Sequence, residues 1–288
     1  MTGIFNLMYA LDSLAHCAVI TVTLQAVAFV VTTVCHTDKL FDLAGVMNYM
    51  LIDAITYIRS QKTERQALIS ACVAVWGFRF VVYLAFRARH TKPDHRFDPA
   101  RRNKRVLAMI FAFQGLCVFQ GMLPVILANN YLEKLPNLIC SDMVGLTVFL
   151  FGFCLQSVAD IQKSMTHREG WFVSRGVWSW SRHPNYFGEI MVWAGIYVMA
   201  ANSLDRYRWV AAVGPAWTTV NVVLLSGVRL MEKYHDETFG STKEYCLYRD
   251  STSILIPLPT WLYSRLPRVM KVLLLDWPLF DYRKDHVD

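Results

Sequence analysis

Apolar residues in this chain come in long blocks separated by short polar stretches, not in the one-sided stripe of a soluble surface helix. The blocks fall at 14–34, 41–58, 67–86, 105–128, 143–159, 188–201 and 207–227. Most approach the roughly 20 residues that a helix needs to cross a bilayer core. The block 188–201 is short, which a tilted helix, a re-entrant one, or one extended by the polar residues before it would explain. The pattern predicts an all-α, polytopic membrane bundle of seven spans, with six or eight as the alternatives. It predicts a single membrane domain over 1–288, whose segment 228–288 lies in the cytosol and contributes to the site described below.

Composition agrees with that reading. The 288 residues are 55% hydrophobic and 18% charged, where a soluble domain carries roughly a quarter charged. The net charge of +7 is concentrated. Arg87, Arg89, Lys92, Arg96, Arg101, Arg102, Lys104 and Arg105 crowd the connection between two blocks, which puts that loop on the cytosolic side. Residues 160–187 and the tail from 228 then share that side, and the N-terminus lies opposite. Arg59, Lys62 and Arg65 conflict with this orientation, since they fall on the far side. No nucleic-acid motif accompanies the basic loops. The seven cysteines are scattered, with no Cys-x-x-Cys and no paired Cys/His spacing. They read as small buried residues, so neither a metal site nor a disulfide frame is expected. No cleavable leader stands out, and the first block is expected to act as its own insertion signal.

The most informative stretch is Ser181-Arg182-His183-Pro184-Asn185-Tyr186-Phe187-Gly188-Glu189, directly before an apolar block. Polar groups at the mouth of a membrane helix are costly unless a ligand or partner satisfies them. Pro184 suits a first helical turn, where its missing N–H is no loss. Asn185, Glu189 and Trp193 then follow at i, i+4 and i+8 on one helix face. Three further clusters hold ionisable or phenolic groups near or inside the blocks. They are Arg79, Tyr83 and Arg87; Asp53 with Tyr57; and Asp160, Lys163 and His167. Each has a plain structural reading beside the functional one: an interhelical Asp53–Arg79 pair, a snorkelling Arg87, a solvated Asp160 and Lys163. Lys163, Arg175, Arg182, His183 and Arg249 suit a polyanionic ligand such as a nucleotide pyrophosphate. Tyr245 and Tyr248, beside Arg249, could stack on a heterocycle or simply lie on a surface helix. No glycine-rich dinucleotide or P-loop fingerprint is present, so a nucleotide would lie among helix ends and loops.

Several segments together resemble the steroid 5α-reductase superfamily, in the branch grouped as DUF1295 membrane proteins. They are Trp76-Gly77-Phe78-Arg79 with Tyr83 and Arg87, Ala159-Asp160-Ile161-Gln162-Lys163, Gly176-Val177-Trp178, Ser181 through Glu189, and Ser226-Gly227 to Glu232. Tyr245-x-x-Tyr248 and Ile256-Pro257 complete the set, in order over roughly residues 40–260. The resemblance implies a seven-helix bundle that binds NADPH at the cytosolic ends of its C-terminal helices and delivers hydride to an activated C=C bond of a lipid. It implies Tyr83 and an acidic partner, Asp53, as the groups that polarise the substrate carbonyl. Cofactor contacts carry over to Asp160, Arg175, Asn185, Glu189, Trp193 and Tyr245, with Lys163 and Arg182 added on charge and position. Where steroid reductases carry a basic residue, this chain has Glu232, Lys233 and His235. An endoplasmic-reticulum membrane is a family expectation.

Two other classes fit parts of the pattern. Arg-His-Pro-x-Tyr-x-Gly with a downstream Glu also occurs in S-adenosylmethionine-dependent membrane methyltransferases of the isoprenylcysteine carboxyl and phospholipid N-methyltransferase types. A non-catalytic membrane protein that keeps the fold is the third reading. The Ala-Asp-x-Gln-Lys stretch and the Trp-Gly-x-Arg span favour the reductase. Apolar linings of sterol, enoyl-chain and polyprenol sites look alike, so the lipid is not named by the sequence.

Overall fold

The computed structural model describes residues 2–37, 40–90, 103–131, 137–166, 172–204, 208–277, 280 and 282. Lys92, Arg96, Arg101 and Arg102 of the basic connection, and His167, lie outside the described residues. Among those described, the chain is helical with no strand, apart from one isolated bridge between Ser181 and Ser253. The long elements are α1 (Thr2–Cys35), α2 (Leu40–Arg59), α3 (Glu64–His90), α4 (Lys104–Gly121), α5 (Leu123–Asn129), α6 (Cys140–Thr166) and α7 (Pro184–Ala201). Short helices α8 (Arg208–Ala211) and α9 (Val213–Val220) lead through a π-helical stretch at Asn221–Leu225 into α10 (Val228–Phe239). The chain closes with α11 (Lys243–Ser251), α12 (Thr260–Tyr263) and α13 (Arg268–Leu273).

Among the described residues, four stretches are long and apolar enough to cross a membrane: Met8–Cys35, Glu64–Arg87, Cys140–Thr166 and Trp209–Phe239. A fifth is counted if α4 and α5, bent by 47° at Met122, act as one span. The bend has a local cause, since Pro124 in the first turn of α5 cannot continue the hydrogen-bond ladder of α4. The two remaining expected spans are helices of 20 and 18 residues, α2 and α7. Asp42, Asp53 and Arg59 in α2, and Asn185 and Glu189 in α7, dilute their apolar character.

The chain divides into two compact units, Met1–Phe149 with Trp193–Thr218, and Leu150–Val192 with Thr219–Asp288. In the first, α2 packs on α3, and α1 packs on both α2 and α4. Polar groups inside this unit are paired with one another. Arg65 and Asp142 form a bidentate pair at 2.9 and 2.8 Å, with side chains 2% and 0% exposed. Asn202 Nδ2 and the Ile139 N–H also donate to Asp142. This removes part of the conflict over orientation. The positive-inside rule counts charges that face solvent, and Arg65 is neutralised inside the protein, while Arg59 and Lys62 stay exposed.

In the second unit, the C-terminal half of α6 runs against the N-terminal half of α7, and glycine sets the distance. A Cβ on Gly152 would lie 2.6 Å from the Gly188 carbonyl oxygen, and one on Gly188 would lie 2.7 Å from that of Gly152. Two helices this close leave no room for side chains between them. Val223, Val228, Ile254, Leu255 and Phe280 form the apolar core of this unit.

Removing one partner of a buried ion pair typically costs about 3–5 kcal/mol, because the other charge is stranded. Arg65→Ala is therefore expected to lower the melting temperature of the detergent-purified protein sharply. An unchanged melting temperature would show that the Arg65–Asp142 pair does not hold the first unit together.

Candidate functional site

Each motif before α7 is fixed by another motif. Gly176 has φ +66°, the left-handed region that glycine enters at least cost. A side chain there would also collide with Gln162. Gln162 Oε1 accepts the Val177 N–H at 3.1 Å, and the Trp178 indole N–H donates to the Ala159 carbonyl at 3.1 Å. The Lys163 ammonium sits 5.6 Å from the centre of the Trp178 ring. The Ala159–Lys163 stretch and Gly176-Val177-Trp178 are thus two halves of one joint. The Ser181 hydroxyl donates to the Leu255 carbonyl at 2.8 Å and accepts the His183 N–H at 3.1 Å. The Arg182 backbone N–H donates to the Ser253 carbonyl at 2.8 Å, so the segment before Ile256-Pro257 anchors the entry to α7.

Asn185 and Glu189 lie on one face of α7, as their spacing predicts, opposite Asp160 and Gln156 on α6. Asn185 Nδ2 faces Asp160 Oδ1 at 3.5 Å, and Gln156 Nε2 donates to Glu189 Oε2 at 2.5 Å. Each amide therefore turns its nitrogen to a carboxylate. The carbonyl oxygens, Asn185 Oδ1 and Gln156 Oε1, are buried and accept no hydrogen bond. A buried acceptor left open costs about 1–3 kcal/mol, and both oxygens belong to amides on the facing sides of α6 and α7. Trp193, two turns further along α7, belongs to the first unit, where its ring lies 4.9 Å from Tyr49 and 5.2 Å from Trp76.

The cations expected to face a polyanion are mostly engaged elsewhere. Arg182 donates to Glu232 at 2.6 Å and to Asp276 at 3.3 Å, and His183 Nε2 lies 2.7 Å from the other Glu232 oxygen. Arg249 pairs with Asp236 at 3.0 Å and donates to the Phe280 carbonyl at 2.7 Å. The Tyr245 hydroxyl donates to Asp236 at 2.8 Å, that of Tyr263 donates to Asp276, and the Tyr282 N–H donates to Asp236 at 3.0 Å. These groups form a buried charge network that ties α10, α11 and the C-terminal segment to the start of α7. In this structure Arg182, His183, Arg249 and Tyr245 hold protein rather than present donors to a ligand. Burial alone would lower the Arg182 pKa, but Glu232 and Asp276 override it and raise it. Burial raises the Tyr245 phenol, reinforced by Glu232 and Asp236, and burial likewise raises that of Tyr248. The Tyr248 hydroxyl donates to the Trp178 carbonyl at 2.8 Å, and its ring stacks on Phe172 at 5.5 Å. Tyr186 stacks on His183 at 5.3 Å, and Arg175 is exposed.

Tyr83 and Asp53 are not brought together. Asp53 accepts from Ser70 at 2.8 Å, and Asn129 donates to Ser70 and to Thr56 beside it. Tyr83 lies thirteen residues beyond Ser70 on α3, about 20 Å along the axis. The carboxylate of α2 nearest its level is Asp42, which pairs with Arg87, one turn from Tyr83, at 3.3 Å. Asp53 is therefore not the neighbour of Tyr83 that the family resemblance implies. α2 and α3 run antiparallel, so residue 53 meets residue 70 and residue 42 meets residue 87. Phe80 links Tyr83 to the aromatic group, with centroids 6.1 Å from Tyr83 and 5.7 Å from Trp76.

Gln156, Glu232, Asp236 and Asp276 are the site residues that sequence reasoning did not assign. Gln156 and Asp160 stand at i, i+4, as do Glu232 and Asp236, so helical spacing carried a signal for both pairs. Nothing in the local sequence marks Asp276. Among the described residues, no group of three or more His, Cys, Asp or Glu could hold a metal ion.

The family model "Protein of unknown function (DUF1295)" matches residues 28–252. Among curated proteins, "Uncharacterized protein C594.04c" of Schizosaccharomyces pombe is 27% identical over 139 residues, covering 40% of this chain and 39% of the relative. The chain thus aligns with well under half of that relative's length. No solved structure matches the chain.

His183 generates a pH prediction. Burial is the largest influence on its imidazole and holds its pKa below the usual 6.5, against the opposing effect of Glu232. A histidine that is harder to protonate when folded takes up more protons on unfolding. Stability is therefore full at pH values above 6.5 and is lost as pH falls below that value. Thermal melts between pH 8 and 5 should show this fall, and His183→Gln should flatten it. An equal slope in the variant would assign the pH dependence to other groups.

Proposed function

The chain belongs to the DUF1295 family, and on that premise we propose that it is an NADPH-dependent membrane reductase acting on an activated C=C bond of a lipid. The observation that carries the reading is the pair of open carbonyl oxygens on Asn185 and Gln156. Their own N–H groups already face Asp160 and Glu189, so the open positions can only accept. The carboxamide of a nicotinamide ring offers N–H donors and fits that need. The residues present thus fit the nicotinamide end of a dinucleotide. Lys163 beside Trp178, and the exposed Arg175, are the cations suited to its phosphates, and Tyr248 with Phe172 offers aromatic surface.

When bound, NADPH supplies the hydride. The chain's own share is placement and charge. Asn185 and Gln156, held by Asp160 and Glu189, would hold the ring through hydrogen bonds. The charge network of Arg182, His183 and Glu232 keeps the start of α7 in position and acts as a positioning element. Tyr83 donates a hydrogen bond to the substrate carbonyl oxygen as negative charge develops there. The Asp42–Arg87 pair, one turn away, takes the neighbouring position that Asp53 does not reach. The apolar surroundings exclude water from the developing charge. The endoplasmic-reticulum membrane, with a cytosol-facing cofactor site, is the location proposed with this activity.

Thermal shift of the purified protein with NADPH and with S-adenosylmethionine tests the reading. A ligand that binds only the folded state, at 100 times its dissociation constant, adds about 2.7 kcal/mol. NADPH is expected to stabilise the protein, S-adenosylmethionine is not, and Asn185→Leu should weaken NADPH binding by about tenfold, the worth of a buried hydrogen bond. Stabilisation by S-adenosylmethionine alone would replace the reductase with a methyltransferase, and no shift with either would leave a non-catalytic member of the fold.

Tyr83→Phe is expected to remove turnover of an enone lipid by about 100-fold or more while the NADPH shift stays intact. Normal turnover in that variant would remove Tyr83 from the chemistry.

A further inference from the structure

The stretch 251–275 holds no Asp or Glu, while Arg265, Arg268 and Lys271 stand among its apolar residues. It belongs to the second unit and is built into it at both ends. Ile254 and Leu255 sit in the core before it, the Tyr263 ring is buried midway, and Asp276 and Phe280 are buried after it. The Asp276 N–H donates to the Lys271 carbonyl at 3.0 Å, in a reversal where Leu275 takes φ +69°. Between these fixed points the chain turns apolar side chains outward. Trp261 is 63% exposed, Val269 72% and Leu273 70%. Val269 and Leu273 stand at i, i+4 on one face of α13, and Arg268 and Lys271 at i, i+3 on another. Arg265 and Arg268 are exposed, and the Lys271 ammonium lies 4.6 Å from the centre of the Tyr263 ring.

This stretch is apolar enough to enter a bilayer but is not built to cross one. Pro257, Pro259 and Pro267 break it into α12 and α13, of four and six residues. Six helical residues rise about 9 Å, under a third of a bilayer core. The irregular backbone between the two helices is not tolerated where it meets hydrocarbon. The geometry that remains is one along a membrane surface. The chain already holds the segment near such a surface, since the C-terminal half of α6 and α10, in the same unit, are parts of candidate spans. An exposed tryptophan among aliphatic side chains has the composition of the headgroup boundary. Three cations with no acid between them add charge complementarity to an anionic leaflet. The basic tail is expected on the cytosolic side, and the cytosolic leaflet is the one that carries anionic lipid. The family match ends at residue 252, so this segment lies beyond the matched residues.

We propose that residues 257–273 form an in-plane anchor that docks on an anionic phospholipid surface, with Trp261, Val269 and Leu273 in the headgroup boundary and Arg265, Arg268 and Lys271 on the anionic headgroups. The anchor leads directly into Asp276, which pairs with Arg182, and so ties the leaflet surface to the charge network at the start of α7. It is independent of the reductase reading and stands whether or not NADPH binds.

The test is hydrogen exchange of the full chain in lipid nanodiscs, made either of phosphatidylcholine alone or of a mixture rich in phosphatidylserine. Amides of residues 260–275 are expected to exchange at least about fivefold more slowly in the anionic discs, the worth of one cation at such a surface. The combined variant Arg265→Gln, Arg268→Gln and Lys271→Gln should lose that difference. Brominated lipid should quench the tryptophan fluorescence of the wild-type chain more than that of Trp261→Phe. The comparison between lipids uses the wild-type chain alone, so it does not depend on how any variant folds. Equal exchange in the two lipids, a difference that survives in the combined variant, or equal quenching of wild type and Trp261→Phe would overturn the proposal. Cross-links between two copies of the chain within this stretch would assign the face to self-association instead, and would overturn it too.

Discussion

A carboxylate, guanidinium or amide buried in an apolar helix bundle has no water to turn to, so each must find its partner inside the chain or in a ligand. This constraint organises both units. In the first, Arg65 closes on Asp142, and Asp53 is held by Ser70 next to Asn129. In the second, Arg182, His183, Arg249, Glu232, Asp236 and Asp276 pair with one another and fasten the C-terminal segment to the entrance of α7. Such networks are weak evidence for stability as such, because desolvating the charges offsets much of their attraction. What they impose is position, since each member has few geometries in which all its partners are met.

Against that background, the polar groups left open carry information. Asn185 Oδ1 and Gln156 Oε1 stand beside carboxylates that have taken their N–H groups, and Gln25 has neither end satisfied. Two acceptors at a helix mouth among aromatic and cationic side chains suit a donor on a polar cofactor.

Much of this was legible in the chain itself. Blocks of apolar residues gave the helical class, and Pro184 at a first turn gave the start of α7. The i, i+4 spacing put Asn185 and Glu189 on one face. Helical periodicity reports the face of a residue but says nothing of the register between two helices. The family resemblance implies Asp53 as the partner of Tyr83, but antiparallel register sets Asp53 against Ser70. Arg182 and Arg249 looked like anion ligands because their carboxylate partners are far off in sequence. Asp276 is ninety-four residues from Arg182, in a segment with no pattern that marks it. The span count suffered from the same polar residues that make the site, since Asp42, Asp53, Asn185 and Glu189 break up the apolar character of α2 and α7.

The central claim is that the open carbonyls of Asn185 and Gln156 read the carboxamide of a nicotinamide ring. Calorimetric titration of the purified protein with NADPH, and with the analogue whose ring carries an acetyl group in place of the carboxamide, tests it most directly. Both share the same phosphates, but only NADPH carries the N–H donors. The account predicts that NADPH binds about tenfold more tightly, the worth of one to two hydrogen bonds, and that the preference disappears in Asn185→Leu. Equal binding of the two dinucleotides, or a preference that survives in the variant, would contradict it.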